Sequence, residues 1–174
     1  AVCRFYKYAP IPYFGSSGHI LDDTVHSIDT LRWICGGEVV SVQSHVMRRC
    51  VPDINFVAGI IEFNNGSTGV LINSWISGKR EFSVEMHAPG IYAQVEHEVG
   101  GMLYTNGNLT PRVFDPCEEA RSSAPCDYTG VTALCRSFAR AIKMDTPTSS
   151  PFEDAFKTMQ VAFDFLAQAH LRRE

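Results

Sequence analysis

The sequence predicts an α+β fold in which helices cover one face of an open, predominantly antiparallel β-sheet. Three observations predict it: an amphipathic helix near the amino end, a run of alternating segments joined by short turns, and two closing segments with helical periodicity. At 174 residues, 45% of them hydrophobic and 20% charged, the chain is large enough to bury its own core. We therefore expect one domain over residues 1–174.

Residues 2–8 alternate as a strand, with Lys7 on the same face as Cys3. A natural amino terminus rarely opens inside a strand without a methionine, so we expect further sequence to precede this strand. Two prolines then break regular structure and predict a loop over residues 9–14.

An amphipathic helix is predicted within residues 15–37, which open on glycine and serine and close on two glycines. Its apolar stripe is Leu21, Val25, Ile28 and Leu31. Its second stripe is Asp22, His26, Asp29 and Trp33. A carboxylate one turn from an imidazole suits proton transfer, because it favours the imidazolium and can hold one ring tautomer. From spacing alone, an ordinary surface helix with a half-buried His26 is the alternative.

The middle of the chain is predicted to form strands. Alternation and turn residues place them at residues 38–47, 56–63, 67–75, 80–87 and 91–98. The Asn-Gly pair between the second and third supplies the positive φ angles of a tight hairpin. Short turns imply an antiparallel sheet of five or six strands. Because strand 56–63 is apolar on both faces, we expect helices on one face and another subunit, or solvent, on the other.

The last third of the chain is predicted to begin with mostly loop over residues 100–127, which are rich in glycine, proline, asparagine and serine. A brief strand is expected there at residues 102–105. Apolar residues at helical spacing then predict two helices over 131–144 and 152–171.

Composition limits the partners. A net charge of -4 argues against nucleic acid, since phosphate contacts need a basic face. No apolar run approaches the roughly 20 residues that span a bilayer, so we expect a soluble protein without membrane contact. The six cysteines lack the paired spacing of zinc sites, and we interpret them as reduced thiols of a cytoplasmic protein. One disulfide among Cys117, Cys126 and Cys135 in an oxidising compartment is the alternative.

One segment carries a motif. It is Asp22-Asp23-Thr24-Val25-His26-Ser27-Ile28-Asp29, followed by Leu31-Arg32-Trp33. It resembles the signature of the glucose-fructose oxidoreductase, inositol dehydrogenase and MocA (Gfo/Idh/MocA) family, Asp-x-Gly-x-His-x-x-Asp before an apolar run ending in Trp. Thr24 stands where the family usually has glycine, and Ser16-Ser17-Gly18 replaces a run of glycines. The order of predicted elements also resembles the family's carboxy-terminal domain, which has a dihydrodipicolinate-reductase-like fold.

The resemblance implies the substrate-binding and oligomerisation domain of an NAD(P)-dependent oxidoreductase that acts on a sugar, cyclitol or related polyol. It implies that His26 is the general acid or base and that Asp22 positions the substrate or tunes His26. Family members carry an amino-terminal nucleotide-binding domain with a Gly-x-Gly-x-x-Gly turn and a Glu-Lys-Pro segment, and neither occurs in this sequence. We therefore expect NAD or NADP in the intact protein, no cofactor-binding residues in this chain, and homo-oligomers paired through the sheet.

Lys7 and Trp75 are further candidates for substrate binding. Lys7 could reach a substrate hydroxyl or carboxylate, although a solvated lysine at a strand end is the alternative. Trp75 could form the floor of a sugar pocket, although it would also suit the core or an interface. Asp22 with His26 offers at most half of a metal site, so we predict no metal centre. A non-catalytic module that assembles subunits through its sheet is the alternative function.

Overall fold

The computed structural model describes residues 1–9 and 19–171 of the chain. Within these residues the chain forms one eight-stranded sheet and five α-helices. The loop predicted over residues 9–14 and the glycine-serine stretch before the first helix lie outside the described residues, apart from Ala9.

The sheet is mixed, but most neighbouring strands are antiparallel. The strands are β1 (Val2–Tyr8), β2 (Val39–Met47), β3 (Phe56–Phe63), β4 (Thr68–Ser74), β5 (Ile76–Ala88), β6 (Ile91–Glu96), β7 (Gly100–Thr105) and β8 (Arg112–Phe114). Their order across the sheet is β2-β3-β4-β1-β5-β6-β7-β8. Strand β1 pairs parallel with β4 and antiparallel with β5. The first strand of the chain therefore lies inside the sheet, which has eight strands.

The helices confirm three of the predicted segments. A π-helical turn at Ile20–Thr24 leads into α1 (Val25–Cys35), and the chain closes with α4 (Val131–Met144) and α5 (Phe152–Leu171). Gly36 ends α1 with a φ of 65°, a backbone angle that glycine adopts without strain. Helices α1 and α5 pack against each other, with α1 on β1 and β4 and α5 on β2.

Residues 100–127 contain more regular structure than the predicted loop. Besides β7 they form β8 and two short helices, α2 (Pro116–Ala120) and α3 (Pro125–Tyr128). A carboxylate oxygen of Asp115 caps α2 by accepting hydrogen bonds from the backbone N–H groups of Cys117 and Glu118. Each short helix starts with proline, whose fixed φ suits the first helical position. The residue types that predicted loop here therefore also begin helices.

The core lies between the sheet and helices α1 and α5. Its fully buried members include Ile28, Leu31, Val57, Ile61, Leu71 and Phe165. Phe165 on α5 lies directly over Gly59 of β3, where an added Cβ would be 2.6 Å from the Phe165 Cζ atom. The missing side chain at this position lets α5 approach the sheet.

We expect Gly59→Ala to lower the free energy of unfolding by about 1–3 kcal/mol, the usual cost of overpacking a core. The Phe165 ring is 0% exposed, and protein interiors are close-packed, so an added methyl group at residue 59 forces the ring or its neighbours to shift. Gly78→Ala on β5 is the matched control, because nothing lies within 4 Å of its added Cβ. Urea unfolding compares the two variants, and equal stability would show that the Phe165 ring moves aside without cost.

The sheet face opposite α1 and α5 has an apolar patch on β3 and β4. It consists of Ala58, Ile60, Val70 and Ile72, which the strand register places side by side. Ile60 is 41% exposed, and the others are partly buried. The prediction of helices on one face is therefore confirmed, and the patch is available for contact on the other.

The cysteines all lie in the described ranges and are free thiols. Burial raises the pKa of Cys3 to about 11, so this thiol stays protonated and unreactive at neutral pH. Among the helices that the structure describes, none combines the length and the apolar character that crossing a membrane requires.

Candidate functional site

Buried polar side chains meet near the end of β1, beside the π-helical turn. His19 is 4% exposed, Asp23 is 8% exposed and Trp75 is 0% exposed. Lys7 of β1 reaches into the same group, and 29% of its side chain remains exposed. Buried polar groups are costly unless they are paired, so their mutual contacts hold this cluster together.

A single carboxylate oxygen joins the cluster. Asp23 Oδ2 lies 2.5 Å from Lys7 Nζ and 3.3 Å from His19 Nδ1. It also accepts a hydrogen bond of 2.7 Å from Trp75 Nε1. These charge-assisted contacts offset the desolvation of the carboxylate. We call these four residues, Lys7, His19, Asp23 and Trp75, the Asp23 cluster.

His19 covers the indole of Trp75. The two rings stack at a centroid distance of 4.7 Å and an interplanar angle of 10°. Burial lowers the pKa of His19, against the opposing charge of Asp23 and with a smaller contribution from Lys7. The imidazole is therefore neutral at pH 7, and its Nδ1 faces Asp23.

We expect His19 to make the fold less stable in mild acid. Its pKa in the folded chain lies below the ordinary value of 6.5, so below that pH the unfolded chain binds the proton more readily. The contribution of neutral His19 to the stability is fully present above its unfolded-state pKa and is lost as the pH falls toward its folded-state pKa. His19→Phe keeps a ring over Trp75 and should flatten the thermal stability profile between about pH 7 and pH 5.5.

The exposed His87 supplies the matched control for this pH dependence. The His87→Phe variant should lose stability with falling pH as steeply as the parent chain does. The hydrogen bond from Arg4 lowers the pKa of Glu85, so the stability that this carboxylate contributes is present above its ordinary pKa of 4.5 and is lost only at lower pH, outside the tested window. A His19→Phe profile as steep as that of the parent would contradict the assignment to His19.

The two predicted catalytic residues lie on the exposed side of the same turn and helix. Asp22 and His26 are both exposed, as are Asp29 and Trp33, so the predicted second stripe of the helix is confirmed as a surface stripe. The Asp22 carboxylate lies within 4.8 Å of the ligand atoms of His19 and Asp23. His26 follows in the first turn of α1. An exposed carboxylate beside a buried polar cluster, with an exposed imidazole four residues further on, can meet a substrate from solvent.

The other two predicted site residues belong to the Asp23 cluster. Lys7 is half-buried and ion-paired, and Trp75 is fully buried under His19. Their predicted contacts with substrate stay predictions. The fold brings Lys7 and Trp75 onto the same carboxylate, so their positions depend on each other.

Sequence reasoning missed His19 and Asp23. The sequence predicts a regular α-helix within residues 15–37, whereas backbone N–H groups of both Asp23 and Thr24 bond to the His19 carbonyl in a widened turn. This turn places Asp23 inside and leaves Asp22 outside. The spacing of four residues between His19 and Asp23 was the available signal, since such pairs meet on one helical face.

Asp29 contacts both α5 and a neighbouring residue of its own helix. Its carboxylate accepts a hydrogen bond of 2.8 Å from Thr158 Oγ1 on α5 and lies 3.5 Å from Arg32. Arg32 in turn pairs with Asp154 at 2.7 Å. These contacts tie α1 to α5.

His19, Asp22 and Asp23 place three ligand atoms close enough together for a metal ion. Lys7 Nζ, however, already lies 2.5 Å from Asp23 Oδ2 and supplies the positive charge that a cation would bring. The chemistry of the donor set therefore favours an ion pair over a metal centre.

Solved structures share the fold at low sequence identity. A dehydrogenase from Chromobacterium violaceum matches with a TM-score of 0.81 at 17% identity, covering 96% of this chain and 52% of that one. Levoglucosan dehydrogenase in complex with NADH and L-sorbose matches with a TM-score of 0.80 at 15% identity, covering 97% and 55%. An oxidoreductase from Agrobacterium radiobacter with NAD+, L-tartaric acid and magnesium matches with a TM-score of 0.75 at 16% identity, covering 97% and 55%.

This chain thus spans about half the length of these solved structures. These neighbours are oxidoreductases, and some hold NAD+ or NADH. No curated protein matches the sequence significantly. The sequence model of the GFO/IDH/MocA C-terminal domain matches residues 3–101, more than half of the chain. The chain therefore belongs to the GFO/IDH/MocA family, as a carboxy-terminal domain.

Proposed function

We propose that this chain is the substrate-binding and oligomerisation domain of an NAD(P)-dependent oxidoreductase that acts on a sugar, cyclitol or related polyol. The observation that carries the proposal is that Asp22 and His26 are both exposed, four residues apart, with the Asp22 carboxylate next to the Asp23 cluster. Family membership supports the reaction class. The NADH and L-sorbose bound by levoglucosan dehydrogenase support the substrate class.

In the proposed reaction, a residue of this chain accepts the proton that the substrate hydroxyl releases. Oxidation of an alcohol to a carbonyl releases the hydroxyl proton, and an exposed imidazole can accept it. His26 takes this proton, and in the reverse direction it returns the proton to the carbonyl oxygen. Asp22 stabilises the imidazolium that forms or orients the substrate hydroxyl.

Lys7 and Trp75 are proposed to complete the site on the side of the Asp23 cluster. The partly exposed ammonium of Lys7 donates a hydrogen bond to a substrate oxygen. Trp75 forms the base of the site, where its N–H group holds Asp23. The substrate then lies between Lys7 and the exposed stripe of α1.

The nicotinamide nucleotide is proposed to bind outside this sequence. The chain has no Gly-x-Gly-x-x-Gly turn to place a pyrophosphate at a helix amino terminus. When bound to a separate nucleotide-binding domain, the cofactor would supply or accept the hydride. The present residues therefore do not fit the nucleotide itself, and only the proton chemistry is assigned to them.

We expect the 174-residue chain alone to show no saturable binding of NADH. The phosphate cradle that supplies most nucleotide contacts is missing from its sequence. Isothermal titration calorimetry with NADH measures this directly. Tight, stoichiometric binding would contradict the assignment of the cofactor to another domain.

Oligomerisation is proposed to use the apolar patch of Ala58, Ile60, Val70 and Ile72. The patch lies on the sheet face that α1 and α5 leave uncovered, and contiguous exposed apolar surface commonly marks an interface. The same patch supports the second candidate function, a non-catalytic module that assembles subunits. We place the protein in the cytoplasm, which its six free thiols support.

A substrate screen of the intact protein tests the proposed function. The protein is incubated with NAD+ or NADP+ and a panel of sugars, cyclitols and linear polyols, and formation of the reduced nicotinamide is followed by absorbance. We expect turnover of at least one polyol. A folded, oligomeric protein that oxidises none of them, and that reduces none of the corresponding carbonyl compounds, would favour the assembly module instead.

A further inference from the structure

We propose that Asp23 is a positioning residue of the substrate site, and that the ion pair it forms with Lys7 selects uncharged polyols over anionic substrates. The proposal rests on the substrate-binding function proposed above. It assigns a role to a carboxylate that the catalytic motif does not use.

Burial increases from Lys7 through Asp23 to Trp75. The Lys7 side chain is 29% exposed, the Asp23 side chain is 11% exposed and the Trp75 side chain is fully buried. A molecule that approaches from solvent therefore meets Lys7 before Asp23. Asp23 acts on such a molecule only through the lysine.

Asp23 is itself held in place by buried neighbours. Its Oδ2 atom accepts the Trp75 N–H at 2.7 Å, and the Trp75 ring is clamped by the stacked ring of His19. The carboxylate therefore cannot turn away without breaking a buried hydrogen bond. A fixed carboxylate gives a fixed position to the ammonium that pairs with it.

The Lys7 side chain is ordered by its contact with Asp23. A free lysine samples many rotamers, and ordering it at the moment of binding would cost entropy. In this chain Lys7 Nζ is held 2.5 Å from Asp23 and lies 5.7 Å from the centre of the Phe5 ring. An ammonium carries three N–H donors, and among the described residues the ion pair with Asp23 engages one of them. The cost of ordering is met before the substrate arrives.

Charge sets the substrate class. The positive charge of Lys7 is balanced by Asp23, and Asp22 adds a negative charge within 4.8 Å of the Asp23 and His19 ligand atoms. The pair therefore offers hydrogen-bond donors without net positive charge. A hydroxyl group fits such a site, whereas a carboxylate or phosphate next to Asp22 would be repelled.

The test is Asp23→Asn in the intact oxidoreductase, assayed on a neutral polyol that the enzyme oxidises and on the corresponding sugar acid. Asparagine keeps the shape and an acceptor for Trp75 but leaves Lys7 without its counter-charge. We expect KM for the polyol to rise about 10- to 100-fold, the factor typical of a lost hydrogen bond to a charged group, with kcat much less affected. We also expect the ratio of kcat/KM for the sugar acid to that for the polyol to increase.

Two further variants separate positioning from folding. Lys7→Met should raise KM for the polyol as Asp23→Asn does, and the double variant should be no worse than Lys7→Met alone, since both remove the same interaction. Asp154→Asn is the matched control, because it breaks an ion pair with Arg32 that joins α1 to α5 away from the cluster. It should lower the melting temperature and leave KM unchanged.

The outcomes distinguish the two proposals. A parent enzyme that oxidises no polyol overturns the proposed function. A parent enzyme that is active, together with a folded Asp23→Asn variant of unchanged KM and unchanged substrate ratio, overturns the role of Asp23 alone. If Asp23→Asn does not fold, Lys7→Met decides, and an unchanged KM in that variant likewise overturns the proposal.

Discussion

In the intact protein, His26→Ala is expected to lower kcat about 100- to 10,000-fold, the contribution typical of general acid-base catalysis. The imidazole is exposed in the first turn of α1, so its removal leaves the core untouched. Asp22→Ala should also lower kcat strongly, since its carboxylate is exposed beside the cluster. Steady-state kinetics, with thermal unfolding and cofactor titration of each variant, measure the effect.

Asp29→Ala is the internal control for both variants. Asp29 lies on the same exposed stripe, but its carboxylate accepts the hydrogen bond of Thr158 and so joins α1 to α5. This variant should lose stability and keep most of its turnover. If His26→Ala and Asp22→Ala both retained near-normal rates on the true substrate, the catalytic assignment would have to be abandoned while the fold stands.

Elements with strong local signals could be predicted from the sequence. Helices α4 and α5 have the predicted bounds, because their apolar residues recur at helical spacing. The β3-β4 hairpin turns at Gly66 with a φ of 82°, the positive angle that the Asn-Gly pair supplies. In each case the deciding information lies within a few residues.

The parallel pairing of β1 with β4 could not be predicted, because no local pattern says which distant strand becomes the neighbour. The short strand β8 was missed for a similar reason. It has only three residues, and its pairing with β7 supplies the partner that its own sequence does not indicate. Tertiary context decides both features.

The exposed residues of the candidate site could be proposed from the sequence, whereas the buried residues beside them could not. Asp22 and His26 follow from spacing within one helix and from the family motif. The role of Asp23 depends on Trp75, which is 52 residues further along the chain, and on a π-helical turn that shifts the inward-facing position. A buried cluster whose members come from separate elements leaves no pattern in any one of them.

Phe165→Ala is expected to lower the free energy of unfolding by about 3–5 kcal/mol, the usual cost of truncating a buried phenylalanine. Phe165 is 0% exposed and packs on Gly59, so its removal leaves a cavity between α5 and the sheet. A typical domain has only about 5–15 kcal/mol of stability, so the variant should be close to unfolding at moderate temperature. Urea unfolding followed by tryptophan fluorescence measures the loss, since Trp75 is buried in the same core.

Phe163→Ala is the matched control, because it makes the same truncation two residues earlier on α5, where the side chain is 54% exposed. Its effect should stay within about 0.5 kcal/mol, as for most surface substitutions. Equal losses in the two variants would contradict the packing of α5 described here. They would mean either that Phe163 is buried in solution against another chain or that Phe165 contributes little to the contact with β3. Unfolding at several protein concentrations separates these cases, since only burial against another chain makes the loss concentration-dependent.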